Sequence, residues 1–229
     1  MIKEKLVCLY KDYYGDKFND IVTGGVVDEK TYVSIYPKIV FLLREPHTEK
    51  TGWSMTNGLR RNVEKGLKGE ALEKRYMYTW RQAGVWAYAI IYGFDRYQVL
   101  RKNSYVAEGI KAIGMTNLKK TGGQATSNRH EIGHHAKQEK QLWQKELEIM
   151  SPDLILCGNT FNMVINNIGL ERILLAEIGE KRYYYSLCNL NGKKAVVLDF
   201  WHPNNRRRRD DNLSDLNILM SKLKEKGFL

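Results

Sequence analysis

The sequence predicts an α/β fold of three layers, in which helices cover both faces of a central, mainly parallel, four-stranded sheet. Four short apolar stretches carry this prediction, and each one runs into polar residues or glycine. They are Ile39–Leu43, Ile113–Asn117, residues 154–157 and residues 195–201. Segments with helical spacing of apolar residues lie between them, which is the pattern of strands joined by helical crossovers. The strand ends should therefore meet at one edge, where open α/β sheets build their sites.

The first strand, Ile39–Leu43, is apolar throughout and is followed at once by Arg44, Glu45, Pro46 and His47. An unbroken apolar run is typical of a strand that is buried on both faces. Pro46 cannot donate a ladder hydrogen bond and keeps Glu45 extended, so the strand must end here. A carboxylate and an imidazole are thus predicted at the carboxyl end of a central strand.

The first half of the chain contains three further predicted segments. Residues 1–37 should form a helix and a loop packed on the main body. Residues 59–92 are helical in pattern, with breaks predicted near residues 66–69 and at Gly84. Residues 97–112 predict another helix, which leads into the second strand.

The second half ends in a predicted β-hairpin and a helix. Asn191-Gly192 lies between two apolar runs, and this dipeptide is a strong signal for a two-residue hairpin turn. The other predictions are a flexible loop over 119–128, one amphipathic helix over 132–150, a helix and loop over 162–178, and a closing helix over 212–226. Neither a repeat nor a linker interrupts the sequence, which predicts a single domain over 1–229 with residues 1–37 as a helical extension.

Composition points to a polyanionic partner. The chain has 229 residues and a net charge of +11, and its pI is about 9.4. Such a basic surface favours binding to DNA or serves only solubility. Cys8, Cys157 and Cys188 form no CxxC pair, which fits a reducing compartment. No signal peptide is recognised and no apolar run approaches the ~20 residues that cross a bilayer. A monomeric cytoplasmic protein, associated with the nucleoid and without a membrane partner, is expected.

The order of these motifs resembles the uracil-DNA glycosylase superfamily over roughly residues 38–210. The matching segments are Arg44-Glu45-Pro46-His47, Thr116-Asn117, residues 152–158 and His202-Pro203-Asn204-Asn205. The resemblance implies a glycosylase that flips a non-standard pyrimidine out of DNA and leaves an abasic site. Uracil and modified cytosines are both candidate bases, and DNA repair and defence against phage are both compatible. No cofactor and no metal are expected.

Cleavage of an N-glycosidic bond passes through an oxocarbenium-like sugar and an anionic leaving base. Glu45 is the candidate that positions a water beside the sugar carbon. His202 is the candidate donor to the developing oxyanion of the base. These two residues are expected to face each other across a pocket about as wide as one base. A surface ion pair for Glu45 and a helix-capping role for His202 are the alternatives.

Three side chains are candidates for binding the base. The amide of Asn117 can bond a Watson–Crick edge as donor and as acceptor. Trp53 can stack on a flipped base, or it belongs to the core or to a lid. His47 stands where the uracil enzymes carry a Tyr or Gly against the 5-position of the pyrimidine. If His47 does not block this position, a base with a substituent at C5 would fit.

The segment after His202 is the candidate DNA-binding loop. Its predicted contacts to phosphate, together with one from the first motif, are Arg44, Asn204, Asn205, Arg206, Arg207 and Arg208. Arginine and backbone groups are common phosphate ligands. Asp210-Asp211 would partly neutralise the arginine run, which leaves an exposed, self-paired loop as the alternative.

A second motif supports a rival function. His130-Glu131-Ile132-Gly133-His134 has the H-E-x-x-H spacing of zinc peptidases. On a helix, this spacing would place two imidazoles on one face with Glu131 as the base. Arg129 and His135 flank the motif, whereas such a helix is normally buried. The third alternative is a DNA-binding relative that has lost catalysis.

Overall fold

The computed structural model describes residues 1–48, 50–65, 75–123 and 127–229. The strands in chain order are β1 (Val22–Thr23), β2 (Gly25–Val26), β3 (Ile39–Leu43), β4 (Trp53–Ser54), β5 (Ile113–Asn117), β6 (Leu154–Gly158), β7 (Ile173–Ile178), β8 (Lys181–Leu190) and β9 (Lys193–Phe200). The helices are α1 (Ile2–Tyr14), α2 (Glu29–Ser34), α3 (Met55–Glu64), α4 (Arg75–Tyr92), α5 (Tyr97–Leu100), α6 (Asn103–Lys111), α7 (Arg129–Gln138), α8 (Lys140–Met150), α9 (Phe161–Ile168) and α10 (Arg209–Glu225). A short 3-10 helix covers Gly15–Asp20.

Within these described ranges, seven strands form the main sheet, in the order β2-β5-β3-β6-β9-β8-β7. The four central strands, β5, β3, β6 and β9, are parallel to one another. They correspond to the four predicted strands, so a mainly parallel centre is confirmed. The predicted count of four was wrong for the whole sheet, because antiparallel β2 extends one side and antiparallel β8 and β7 extend the other.

Alternate residues of β3 enter two different cores. Ile39, Phe41 and Leu43 pack with α3, α4, α6 and α10, whereas Val40 and Leu42 pack with α1, α8 and α9. Successive strand side chains point to opposite faces of a sheet. An unbroken apolar run is therefore the pattern expected of a strand covered by helices on both sides.

Gly84 does not break α4 as predicted. It lies inside the helix, and its neighbour across the helix crossing is Gly109 of α6. A Cβ atom built on Gly109 would overlap the Gly84 carbonyl. Glycine here permits close contact between two backbones, and that packing outweighs its low helix propensity. The other predicted break, near residues 66–69, lies outside the described residues.

Three predicted segments are divided more finely than expected. The helix over 132–150 is two helices, α7 and α8, and the helix over 97–112 is α5 and α6. The segment 162–178 contains α9 and the edge strand β7, where a helix and a loop were predicted. The hairpin is confirmed, since β8 and β9 flank Asn191 and Gly192, which have φ values of 51° and 86°. Positive φ at both turn residues is characteristic of a type I′ turn.

The N-terminal segment lies against the sheet and α8. Leu6 and Tyr10 of α1 are buried in the core that also contains Val40 and Leu42. The following chain adds β1, which pairs in parallel with β4, and β2, which pairs with β5. No described helix is both long enough and apolar enough to span a membrane.

Candidate active site

The carboxyl ends of the four parallel strands lie side by side at one edge of the sheet. Leu43 is aligned with Asn117 on β5, and Gly158 is aligned with Phe200 on β9. Glu45 follows β3 and His202 follows β9, so both leave the sheet at this edge. One strand, β6, separates them, and two strand spacings amount to roughly 10 Å.

His202 is partly buried and is held in its neutral form. Burial, with a smaller contribution from the positive charge of Arg44, lowers the pKa of His202 to about 4. Its Nδ1 atom accepts a hydrogen bond from the backbone N–H of Asn204 at 3.1 Å. In a neutral imidazole with an acceptor Nδ1, the proton lies on Nε2. His202 therefore has one donor, Nε2–H, at neutral pH.

Gly158 provides the space beside the His202 ring. A Cβ atom at this position would lie 3.4 Å from Cδ2 of His202 and 2.5 Å from Cδ2 of Leu43. The imidazole thus lies over the end of β6, next to the strand that leads into Glu45. This contact, with the effect of Arg44 on the His202 pKa, links the first and last predicted motifs in space.

The Glu45 carboxylate is buried and paired. Its side chain is 5% exposed, and its Oε2 atom accepts a hydrogen bond from Nζ of Lys119 at 3.1 Å. The same ammonium donates to Oε1 of Glu131 at 2.6 Å. Oε1 of Glu45 is bonded by no residue in the described parts of the chain. One carboxylate oxygen is therefore anchored, and the other has no partner among the described residues.

Gly123 covers the Glu45 carboxyl group. Its backbone N–H donates to the Pro46 carbonyl at 2.9 Å, and a Cβ atom on Gly123 would overlap the carboxyl carbon and Oε2 of Glu45. Only glycine allows the chain after Lys119 to pass this close. The carboxylate is consequently fixed by an ion pair and by backbone packing.

Asn117 and Arg44 each have a buried polar atom without a partner among the described residues. Asn117 is 1% exposed; its Nδ2 atom donates to Sδ of Met55 at 3.3 Å, while Oδ1 has no partner. Arg44 Nε is likewise buried and unbonded, and the nearby charge of Arg129 contributes to lowering the pKa of Arg44, after burial. Unsatisfied buried polar groups are rare and require an explanation. A ligand that accepts a hydrogen bond from Nε of Arg44 and donates one to Oδ1 of Asn117 would satisfy both atoms.

Trp53 and His47 do not join this group. Trp53 belongs to β4, is 39% exposed and donates its ring N–H to the Lys50 carbonyl at 3.0 Å. It lines a cavity of about 210 Å³ between α1 and the start of α3. His47 is exposed on the loop after Pro46. Trp53 is therefore not a core residue, and its stacking on a base stays a prediction.

The loop after His202 divides into exposed and internally bonded residues. Asn204, Arg206 and Arg208 are exposed and remain candidates for DNA contact. Asn205 donates from Nδ2 to the His202 carbonyl at 2.9 Å, and its Oδ1 accepts from the Arg207 backbone at 2.9 Å.

Arg207 is also engaged within the protein. It forms an ion pair with Asp215, whose side chain is 5% exposed, and Asp215 also accepts a hydrogen bond from Tyr183. A phosphate contact by Arg207 would compete with this buried pair. The side chains of Asn205 and Arg207 thus support the loop that carries His202, and their contact with phosphate stays a prediction.

The H-E-x-x-H segment forms the first turns of α7, but its geometry does not fit a zinc site. Glu131 is bonded to Lys119, and His130 and His134 are exposed. The described residues include no group of three His, Cys, Asp or Glu side chains placed to hold a metal ion. A zinc peptidase needs three ligands and a base free to activate water. The rival function therefore has no support in this geometry.

Sequence analysis missed Lys119 and Lys120, which had been assigned to a flexible loop. Lys120 is fully buried, and its Nζ atom contacts Glu146 at 2.6 Å and Thr116 at 2.6 Å. Tyr10 donates to the same Glu146 carboxylate. The only sequence signal was a pair of lysines directly after an apolar strand. Their acidic partners lie 12 and 26 positions further along the chain, so no local pattern reveals them.

Comparison with known proteins assigns no family to this arrangement. The sequence matches no model of a known protein family, and no curated protein matches it at a significant level. The function is therefore argued from the residues at the edge of the sheet.

Proposed function

We propose that this protein is a monofunctional DNA glycosylase that flips out a non-standard pyrimidine and hydrolyses its N-glycosidic bond. The observation that carries the proposal is a neutral His202 and a buried Glu45 at the sheet edge where β5 ends in Asn117, whose amide oxygen has no partner among the described residues. The proposal includes a three-layer fold of the uracil-DNA glycosylase type and a monomer that works on DNA in the cytoplasm. The product is an abasic site.

His202 stabilises the leaving base. As the bond breaks, negative charge develops on the base oxygen, and Nε2–H of the neutral imidazole donates to it. One well-placed donor of this kind contributes about 3 kcal/mol to the stability of the transition state. A low histidine pKa suits this role, because the ring remains neutral over the physiological range and keeps one defined donor. Arg44, whose charge acts on His202, adds a second favourable charge.

Glu45 acts on the sugar side. Its Oε2 atom is anchored by Lys119, which leaves Oε1 to accept a hydrogen bond from the attacking water. A carboxylate in this position also stabilises the positive charge of the oxocarbenium-like sugar. The two groups therefore act on opposite partners of the same bond, the base through His202 and the sugar through Glu45.

Asn117 selects for a base with an N–H group on its Watson–Crick edge. Its Nδ2 atom is already bonded to Met55, so the open function is the acceptor Oδ1. Uracil offers N3–H and cytosines offer the exocyclic amine, so both classes satisfy this acceptor. A site built around an unpaired polar atom rejects ligands that leave it unpaired. The exact base is to be determined by experiment.

Lys119 is not expected to cleave the DNA strand by forming a Schiff base. Burial acts to lower the pKa of Lys119, but hydrogen bonds to Glu131 and Glu45 outweigh it and the pKa is raised. A protonated amine is not a nucleophile. The enzyme should therefore leave the abasic site intact, and borohydride should trap no covalent complex with DNA.

The test is an excision assay on duplexes that contain uracil, a thymine mismatch, 5-hydroxymethylcytosine or its glucosylated form, followed by alkaline cleavage. Product in the presence of EDTA is expected on at least one base. Glu45→Gln and His202→Asn should each lower the single-turnover rate by about 10²–10³-fold. The matched controls are Glu180→Gln and His134→Asn, both exposed residues that the proposal does not use, and they should keep the wild-type rate.

Three outcomes would contradict the proposal. Binding of DNA without product on any base would favour the non-catalytic relative. Loss of activity in EDTA together with hydrolysis of casein would favour the peptidase. Product formation that survives both Glu45→Gln and His202→Asn would place the chemistry elsewhere.

A further inference from the structure

We infer that Lys119 is a positioning residue for Glu45, and that Glu131 of the H-E-x-x-H segment holds Lys119 in place. This inference rests on the proposed function, in which Glu45 binds the attacking water. On this inference, the H-E-x-x-H segment supports the Glu45 carboxylate and does not serve as a metal site. It also adds two residues that the sequence resemblance does not include.

The backbone places Lys119 next to Glu45. Lys119 follows β5, the neighbour of β3, and its N–H donates to the Arg44 carbonyl at 2.9 Å. The side chain is 7% exposed, so its ammonium has little access to water and depends on protein partners. Burial of a lysine is unfavourable unless its charge is paired and hydrogen-bonded. The two carboxylates supply that pairing.

The contact from Lys119 determines which oxygen of Glu45 is free. Nζ binds Oε2 at 3.1 Å, and Gly123 packs over the same side of the carboxyl group. Rotation of the carboxylate would break this ion pair. The proposed function therefore assigns the attacking water to Oε1, the oxygen that Lys119 does not bind.

Helix α7 carries Glu131, the second carboxylate that binds the Lys119 ammonium. Asn128 caps its first turn, with Oδ1 accepting from the backbone N–H of His130 at 3.0 Å and of Glu131 at 3.4 Å. The cap fixes the start of the helix and therefore the direction of the Glu131 side chain. Glu131 is 46% exposed, but its bond to the ammonium is short, at 2.6 Å. Among the described residues, the charges that surround the Glu45 carboxylate are Lys119, Arg44 and, beyond Lys119, Glu131.

The test separates a positioning role from a contribution to stability alone. Lys119→Met, Lys119→Arg and Glu131→Gln are compared with Lys137→Met, which removes an exposed lysine on the outer face of the same helix. The single-turnover rate is measured at neutral pH on the base that the wild type excises. Thermal unfolding of each variant shows that the comparison is made on folded protein.

Lys119→Met should lower the maximal rate by about 10²-fold, because a carboxylate displaced by 1 Å loses its alignment with the reacting atoms. Lys119→Arg should restore much of the rate. Glu131→Gln should produce a smaller loss, since Glu45 keeps its direct bond. Lys137→Met should match the wild type.

The inference is overturned if folded Lys119→Met keeps the wild-type rate. It is also overturned if the rate falls and Lys119→Arg does not restore it, because that pattern marks a structural ion pair. Both results require an active wild type, so they leave the proposed function standing. A wild type that excises none of the bases would instead refute the proposed function, and this inference with it.

Discussion

At the scale of single residues, the local environment decides what each predicted group can do. The ring of His202 is neutral because it is partly buried and because Arg44 lies close to it. The Asn204 backbone fixes which ring nitrogen carries the proton. A histidine after a strand is an ordinary feature of a sequence, whereas one defined neutral tautomer at the sheet edge that also carries a buried acid makes His202 a candidate site residue.

The pKa of His202 predicts a specific loss of stability in acid. The folded-state pKa is about 4, below the ordinary value of about 6.5, so the unfolded chain binds a proton first as the pH falls. The stabilisation is complete above about pH 6.5 and is lost as the pH approaches 4. Between pH 7 and 4.5 this group alone should lower the free energy of unfolding by on the order of 2 kcal/mol.

Urea unfolding of the wild type and of His202→Asn at these two pH values measures the effect. Asparagine does not titrate, so the variant should lose about 2 kcal/mol less than the wild type over the interval. Equal losses in the two proteins would show that His202 titrates at its ordinary pKa.

At the scale of secondary-structure elements, α4 packs against two strands of the sheet that lead into the candidate site. Its position there depends on its crossing with α6. Trp86 of α4 stacks on Phe41 of β3 with ring centroids 6.4 Å apart, and meets Phe200 of β9 edge-on at 4.9 Å. These are the strands that lead into Glu45 and His202. The helix can lie there because Gly84 and Gly109 allow α4 and α6 to make direct backbone contact.

Gly109→Ala should therefore destabilise the protein by about 1–3 kcal/mol, because the new methyl group overlaps the Gly84 carbonyl and the helices must separate. For a chain of this size, each kcal/mol corresponds to a fall in Tm of roughly 2–4 °C. Gly58→Ala is the matched control, since a Cβ atom there would have no neighbour within 4 Å. It should raise stability slightly, as alanine favours a helix more than glycine. An unchanged Tm in Gly109→Ala would refute the close crossing.

At the scale of the whole molecule, the proposed binding to DNA should depend on net charge. The net charge of +11 is large for 229 residues, and the candidate edge contributes Arg44 and Arg129 together with the exposed Arg206 and Arg208. Contacts to phosphate release counterions, so the affinity should decrease steeply as salt is added. A flat salt response would argue against DNA as the partner.

Arg207 and Arg208 are neighbours, but substitutions at these two positions should change different properties. One should affect stability and the other the proposed binding to DNA. Arg208→Ala should reduce the slope of log Kd against log salt concentration by about 1, because one exposed phosphate contact is lost. Arg207→Ala should instead lower the free energy of unfolding by about 1–3 kcal/mol, since the buried Asp215 carboxylate loses its cation and keeps only its hydrogen bond from Tyr183. Salt titrations by fluorescence anisotropy and urea unfolding measure the two effects. The same response in both variants would contradict this division of the loop.

Local patterns in the sequence were sufficient for the centre of the sheet. The apolar runs Ile39–Leu43 and Ile113–Asn117 became parallel strands, and Asn191-Gly192 became the predicted turn. Strand β7 was missed because it is a short edge strand whose register with β8 shifts between Leu174 and Ala176, so the sequence shows no regular alternation of apolar and polar residues. Gly84 was misjudged because its contact is with a residue 25 positions away on another helix.

The sequence by itself determined the parallel centre and the chain positions of Glu45 and His202, because apolar runs and the prolines that follow them act over a few residues. Only the tertiary structure decided that Lys119 anchors Glu45, that Glu131 anchors Lys119, and that Arg207 is bound to Asp215. Ion pairs form between groups that folding brings together from distant parts of the chain. Their cost or benefit depends on burial, which is a property of the packed molecule and not of any short segment.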